Sequence, residues 1–178
     1  MRRSAKLELQ SEGKWRTSPA MSKAFPPRPR ASGGKSDHSY AIVASRFNET
    51  YVQAMVDRAH GELNALDPEA QVVLVWTPGS FEIPLFVQTT AALKRFDAIL
   101  ALGVILQGGT AHATLIAESV TKALLDISLA HRVPVIHEVL LLQNEDQAKE
   151  RCLGDQHNRG VEAARAAVFA ARKLSEIA

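Results

Sequence analysis

The sequence predicts an α/β domain whose parallel sheet is covered by helices on both faces. Three observations predict it. Short apolar runs alternate with amphipathic stretches from residue 40 to residue 177. Each run is almost wholly apolar rather than alternating, as strands buried on both faces are. Short polar or glycine- and proline-containing turns separate the two kinds of segment, as in βα units. A chain of 178 residues is long enough for one domain with a sizeable core and short for two.

Residues 40–45 (YAIVAS) read as the first strand. Asn48 is then placed to cap a helix with Val52, Met55, Ala59, Leu63 and Leu66 on one face. Asp67-Pro68 ends it, because a residue before proline disfavours helical backbone. Residues 71–76 (QVVLVW) form a second strand, and Thr77-Pro78-Gly79-Ser80 turns into a helix starting near Phe81, with Pro84 in its first turn. Residues 97–106 make a third strand, Gln107-Gly108-Gly109-Thr110 a loop, and residues 112–130 a long helix. A fourth strand at 133–142, a short helix near 146–152 and a final amphipathic helix at 158–177 complete the pattern.

Composition narrows the class. Hydrophobic residues at 46% and charged residues at 22% exclude global disorder. The longest apolar stretches fall well short of the ~20 residues that cross a bilayer, so no membrane association is expected. Residues 1–10 are polar with no apolar stretch behind them, which predicts no secretory signal. One cysteine, Cys152, leaves no internal disulfide and fits a reducing compartment, so a cytoplasmic location is expected. Charge is uneven: residues 1–39 hold nine Lys/Arg against three Asp/Glu, and the remainder twelve against sixteen. With four of the eight prolines and seven serines, residues 1–39 read as a disordered basic arm and residues 40–178 as the domain. The arm is read as a solvated tail, with an anionic-partner tether and a transit peptide as the alternatives. No interleaved aromatics or groove-reading motif argue for nucleic acid. His38, His60, His131 and His157 show no ligand spacing with Cys152 or carboxylates, so no metal is expected.

Parallel sheets bind ligands where strands run out into helices. The loop Gln107-Gly108-Gly109-Thr110 leads there into a helix N-terminus, whose free amides and partial positive charge suit a phosphate, with the Thr110 hydroxyl as a further donor. The GxxxxGK[ST] order of a Walker loop is absent. His112 beside the loop is suited to proton transfer near neutral pH. Pro78-Gly79-Ser80-Phe81-Glu82 sets an aromatic ring and a carboxylate beside a glycine turn, a combination that fits a flat heterocycle with hydroxyl groups. Phe47 adds a ring at the end of the first strand; core packing is the alternative for both phenylalanines.

Five segments in order, SRFNE (45–49), PGSFEIP (78–84), GVILQGGTAH (103–112), VPVIHEVL (133–140) and NRGVEAA (158–164), resemble the lumazine synthase family over nearly all the chain outside the arm. The resemblance implies a three-layer, flavodoxin-like sandwich with a four-stranded parallel sheet. It implies condensation of 5-amino-6-(ribitylamino)uracil with 3,4-dihydroxy-2-butanone 4-phosphate to 6,7-dimethyl-8-ribityllumazine, the riboflavin precursor, with no cofactor. Phe47, Ser80, Phe81 and Glu82 would then hold the pyrimidinedione and ribityl chain, Val104, Ile105 and Leu106 would line the ring, and His137 would approach it. Gly109, Thr110 and Arg151 would hold the phosphate, and His112 would move protons. The family's sites lie between subunits of a pentamer, so a homo-pentamer or an assembly of pentamers is expected, with riboflavin synthase as a candidate associate.

Three positions depart from the family pattern. Gln107 stands where a basic residue is common. Ala113-Thr114-Leu115 replaces an aromatic and acidic stretch after the histidine. His137 replaces a common phenylalanine, as a stacking ring or a second titrating group. The alternatives to an enzyme are a non-catalytic flavin or lumazine carrier, which has no need of His112, and a shell-forming paralogue.

Overall fold

The structure, a computed structural model, describes residues 28–31 and 38–177. Four strands, β1 (Ser39–Ser45), β2 (Gln71–Thr77), β3 (Ala98–Leu106) and β4 (Val135–Leu142), form one parallel sheet in the order β2-β1-β3-β4. Between them run α1 (Glu49–Leu66), α2 (Ile83–Ala92) and α3 (His112–His131). After β4 come the one-turn α4 (Glu145–Ala148), a π turn (Lys149–Leu153) and α5 (Arg159–Ile177). The expected α/β class, the parallel sheet and the three layers are all observed.

Alternation along the strands divides the core. Tyr40, Ile42, Ala44, Leu100 and Leu102 face α1 and α5, meeting Val52, Met55, Leu63, Ala164 and Ala167. Ala41, Val43, Ile99 and Ala101 face α2 and α3, meeting Ile83, Val87, Val120 and Leu124. β3 is buried along nearly its whole length because it lies inside the sheet with a helix layer on each side. The α1–α5 seam is closed by Gly160, where a Cβ would lie 2.1 Å from the carbonyl oxygen of Met55. Asn158 fixes the start of α5: its Oδ1 accepts from Gly160 N at 3.0 Å and its Nδ2 donates to Cys152 O at 2.6 Å.

Asn48 corrects the expected side-chain cap. It stands before α1 in the left-handed region (φ 58°) with no capping hydrogen bond. Its Nδ2 instead donates to Val104 O at 2.8 Å. The turn from β1 needs a positive φ, which asparagine tolerates, and the freed amide ties that turn to β3.

Most of the expected arm lies outside the described residues. Residues 28–31 run beside α1 and α5: Arg28 Nε donates to Glu62 Oε1 at 2.8 Å, and Arg172 Nη1 donates to Arg30 O at 2.6 Å. Among the described residues, no helix is long and apolar enough to cross a membrane, and no group of three His, Cys, Asp or Glu side chains is placed to hold a metal.

Candidate active site

A pocket of about 480 Å³ opens at the carboxyl ends of β1 and β3, within the size range of small-molecule sites. It is lined by Phe47 and Asn48 after β1, and by Gly79, Ser80, Phe81 and Glu82 after β2. Val104, Ile105 and Leu106 at the end of β3, with His112, Ala113 and Ile116 on α3, complete the wall. Eight of the expected site residues therefore meet in one place, brought from four separate stretches of sequence.

The aromatic residues decide between packing and binding. Phe47 is 70% exposed and Phe81 61% exposed, so neither belongs to the core. Each leaves an apolar ring at the mouth of a pocket, where a flat ligand would cover it. Thr77 Oγ1 donates to Gly79 O at 2.9 Å and shapes the turn that carries Phe81. Gly103 on β3 lets that turn sit close, since a Cβ there would lie 2.8 Å from Ser80 Oγ. Ser80 Oγ is buried without a hydrogen-bond partner among the described residues. A buried hydroxyl left unpaired costs free energy that a ligand donor or acceptor recovers.

His112 begins α3, exposed, and its imidazole makes no hydrogen bond among the described residues; only its backbone N–H is engaged, donating to Thr110 Oγ1 at 3.4 Å. No carboxylate supports the ring, in keeping with the sequence after it. Gly109 and Thr110 do not line the pocket wall; they lie exposed in the loop joining Leu106 to His112. Gln107 braces that loop, donating through Nε2 to Gly108 O at 3.2 Å and Thr110 O at 3.3 Å. Thr114 Oγ1 donates to Gln107 Oε1 at 3.4 Å, which adds α3 to the brace. Gln107 thus serves as a structural tie.

The two remaining candidates lie elsewhere on the chain. Arg151, in the π turn, lines a second pocket of about 400 Å³ with Leu140, Leu142, Gln147, Glu150 and Arg159. Arg159 Nη1 donates to Glu162 Oε2 at 2.5 Å, while its buried Nε–H has no acceptor among the described residues. Glu138, on β4, has its carboxyl pushed up to about 7 by burial, against the pull of Arg159 and Arg151. Burial and then Glu138 raise the Cys152 thiol to about 12, so it stays protonated and unreactive. His137 lies mid-strand opposite Ala101, half-buried and tied to α3 through Thr121. The two pockets share no residue.

Sequence reasoning missed Asn48, Ala113 and Ile116 as wall residues and Arg159 as the second guanidinium. Ile116 was findable, because it lies four residues after His112 and so shares its helical face. Asn48 was assigned a cap, and Arg159 has no local signal beyond its charge.

The family profile described as 6,7-dimethyl-8-ribityllumazine synthase matches residues 37–175. The 6,7-dimethyl-8-ribityllumazine synthase of Halorhodospira halophila (strain DSM 244 / SL1) is 39% identical over 133 residues, covering 74% of this chain and 85% of that protein. With the profile spanning all four strands and both pockets, the chain belongs to the 6,7-dimethyl-8-ribityllumazine synthase family.

Proposed function

We propose that the chain is a transferase of riboflavin biosynthesis that condenses 5-amino-6-(ribitylamino)uracil with 3,4-dihydroxy-2-butanone 4-phosphate to 6,7-dimethyl-8-ribityllumazine, releasing phosphate and water. The observation that carries the reading is the single pocket holding two exposed aromatic rings, an unpaired buried hydroxyl, a carboxylate and an imidazole. Phe47 and Phe81 take the faces of the uracil ring, Ser80 and the ends of β3 take its polar edge, and Glu82 accepts from ribityl hydroxyls. The phosphorylated ketone lies toward Gly109 and Thr110, where loop amides and the positive end of α3 favour a dianion.

The 5-amino group attacks the ketone carbonyl and loses water to give an imine. Elimination then expels phosphate, and the ribitylamino nitrogen closes the second ring with loss of water. His112 takes the proton from the attacking amine and returns one to the departing oxygen. Holding both reactants in one cleft supplies much of the remaining acceleration.

Arg151 completes the phosphate seat from a neighbouring subunit, as does His137 the ring seat. The separation of the two pockets on one chain supports this, because neither holds all the groups the reaction needs. The exposed Leu115, Leu125 and Leu129 of α3 supply apolar surface for such contacts. A cyclic pentamer, alone or in larger assemblies, is the arrangement proposed, with riboflavin synthase as a proposed associate. The test is to mix the two substrates with purified protein and follow lumazine fluorescence and phosphate release. Product well above the uncatalysed background is expected; background rates would overturn the reading.

A further inference from the structure

Two histidines stand in the proposed machinery, and the hydrogen bonds around one of them fix its protons. Val139 N–H donates to His137 Nδ1 at 3.1 Å, so Nδ1 carries a lone pair and no proton. Thr121 Oγ1 lies 2.7 Å from His137 Nε2. The one hydroxyl proton of Thr121 is already committed, donating to Ala117 O at 2.7 Å. Nε2 must therefore carry the ring proton and donate it to Thr121. The opposite tautomer would set two N–H donors against each other at Nδ1, and an imidazolium would do the same.

We infer that Thr121 is a positioning residue: together with the Val139 amide it holds His137 as the neutral Nε2–H tautomer, so that His137 presents a flat uncharged ring to the uracil and carries no proton in the reaction. Of the two roles open to this residue from sequence, the hydrogen bonds select the stacking one. The inference rests on the proposal that His137 meets the substrate across a subunit contact. Burial acts in the same direction, lowering the His137 pKa. Among the described residues no opposite charge acts on the ring: on α3, Lys122 is paired with Asp126 at 2.5 Å and Glu118 is exposed to solvent, while on β4 Glu138 alternates to the opposite face. The bond from Val139 also occupies an amide of β4, one of the two edge strands, and blunts an edge that would otherwise pair with a foreign strand.

The test uses ¹⁵N spectra of the full-length assembled protein with labelled histidine, His137 being assigned by its loss in His137→Phe. One protonated and one bare ring nitrogen are expected for His137 at pH 8 and again at pH 6. Thr121→Val removes the tether at Nε2, lets the ring turn away from the Val139 amide and so should mix the tautomers, and Thr121→Ser should restore the single form. With both substrates, Thr121→Val should raise KM for the uracil about threefold to tenfold, leave the pH profile of kcat unmoved, and be rescued by serine. An imidazolium signal at pH 7, or a Thr121→Val spectrum unchanged from the parent, would overturn the inference. Should the protein make no lumazine, the functional reading would fall while the spectra still decided the tautomer.

Discussion

Gly160→Ala and Gly61→Ala make the same chemical change on the two helices of one seam, with opposite consequences expected. At Gly160 the added Cβ would sit 2.1 Å from Met55 O, whereas at Gly61 nothing lies within 4 Å. Ordinary carbon–oxygen contact begins near about 3.3 Å, so α5 must withdraw from α1 by roughly 1 Å. The obstacle is a carbonyl of the α1 backbone, which cannot rotate away. The withdrawal loosens Met55, Val52 and Leu63 against Ala163, Ala164 and Ala167, all fully buried. Overpacking of this kind costs about 1–3 kcal/mol, and alanine's better helix propensity offsets only part of it in a first turn. A net loss of about 2 kcal/mol should lower Tm by about 4–8 °C. Gly61→Ala, exposed within α1, should gain up to about 1 kcal/mol and raise Tm by about 2–4 °C. Thermal unfolding at one fixed protein concentration measures both, since assembly couples to stability. Equal Tm values for the two variants would refute the account of the seam.

Three further outcomes follow. His112→Ala should lower kcat about 10²-fold or more while leaving assembly intact, read by steady-state fluorescence and sedimentation. Arg151→Ala should chiefly raise KM for the phosphorylated ketone, because a guanidinium in a phosphate seat acts through binding; a change confined to KM for the uracil would contradict that role. The Glu138 carboxyl, raised by burial to about 7, binds a proton more tightly in the folded chain than in the unfolded one. Its contribution therefore falls as pH climbs from the ordinary carboxylate range to about 7. Glu138→Gln should erase that slope in urea titrations and gain up to about 3 kcal/mol above pH 7.

Sequence legibility followed the range of the forces involved. Strand and helix positions were readable because burial on two faces leaves continuous apolar runs, and Pro68 and Pro84 marked a helix end and a helix start locally. The wall of the main pocket was readable because parallel topology brings the ends of β1 and β3 and the turn after β2 to one rim. Asn48 was misassigned because a cap and a left-handed turn use the same residue type, and only the position of Val104 O chose between them. The roles of Thr121 and Arg159 were invisible because each depends on a partner from another element. Glu138 gave no signal at all: its raised pKa comes from burial, which spacing alone does not report.

A mixing experiment tests the division of the proposed site directly. On one chain, His112 lines the pocket at the ends of β1 and β3, and Arg151 lines the other, with no residue in common. If each site in a ring takes its imidazole from one subunit and its guanidinium from the next, His112→Ala and Arg151→Ala each damage every site in a pure assembly. Unfolding the two variants together in equal amounts and letting them reassemble distributes the subunits at random. A site is then fully equipped when an Arg151→Ala chain supplies the pocket and a His112→Ala chain supplies the arginine, which happens for about one site in four in a closed ring. Recovery of about a quarter of the parent activity is expected at saturating uracil and a ketone concentration low enough that the Arg151→Ala assembly alone is slow. Mixing without unfolding serves as the control and should recover little. Activity that stays at the average of the two pure variants after reassembly would mean that each chain builds its site alone, and the proposed sharing would be wrong.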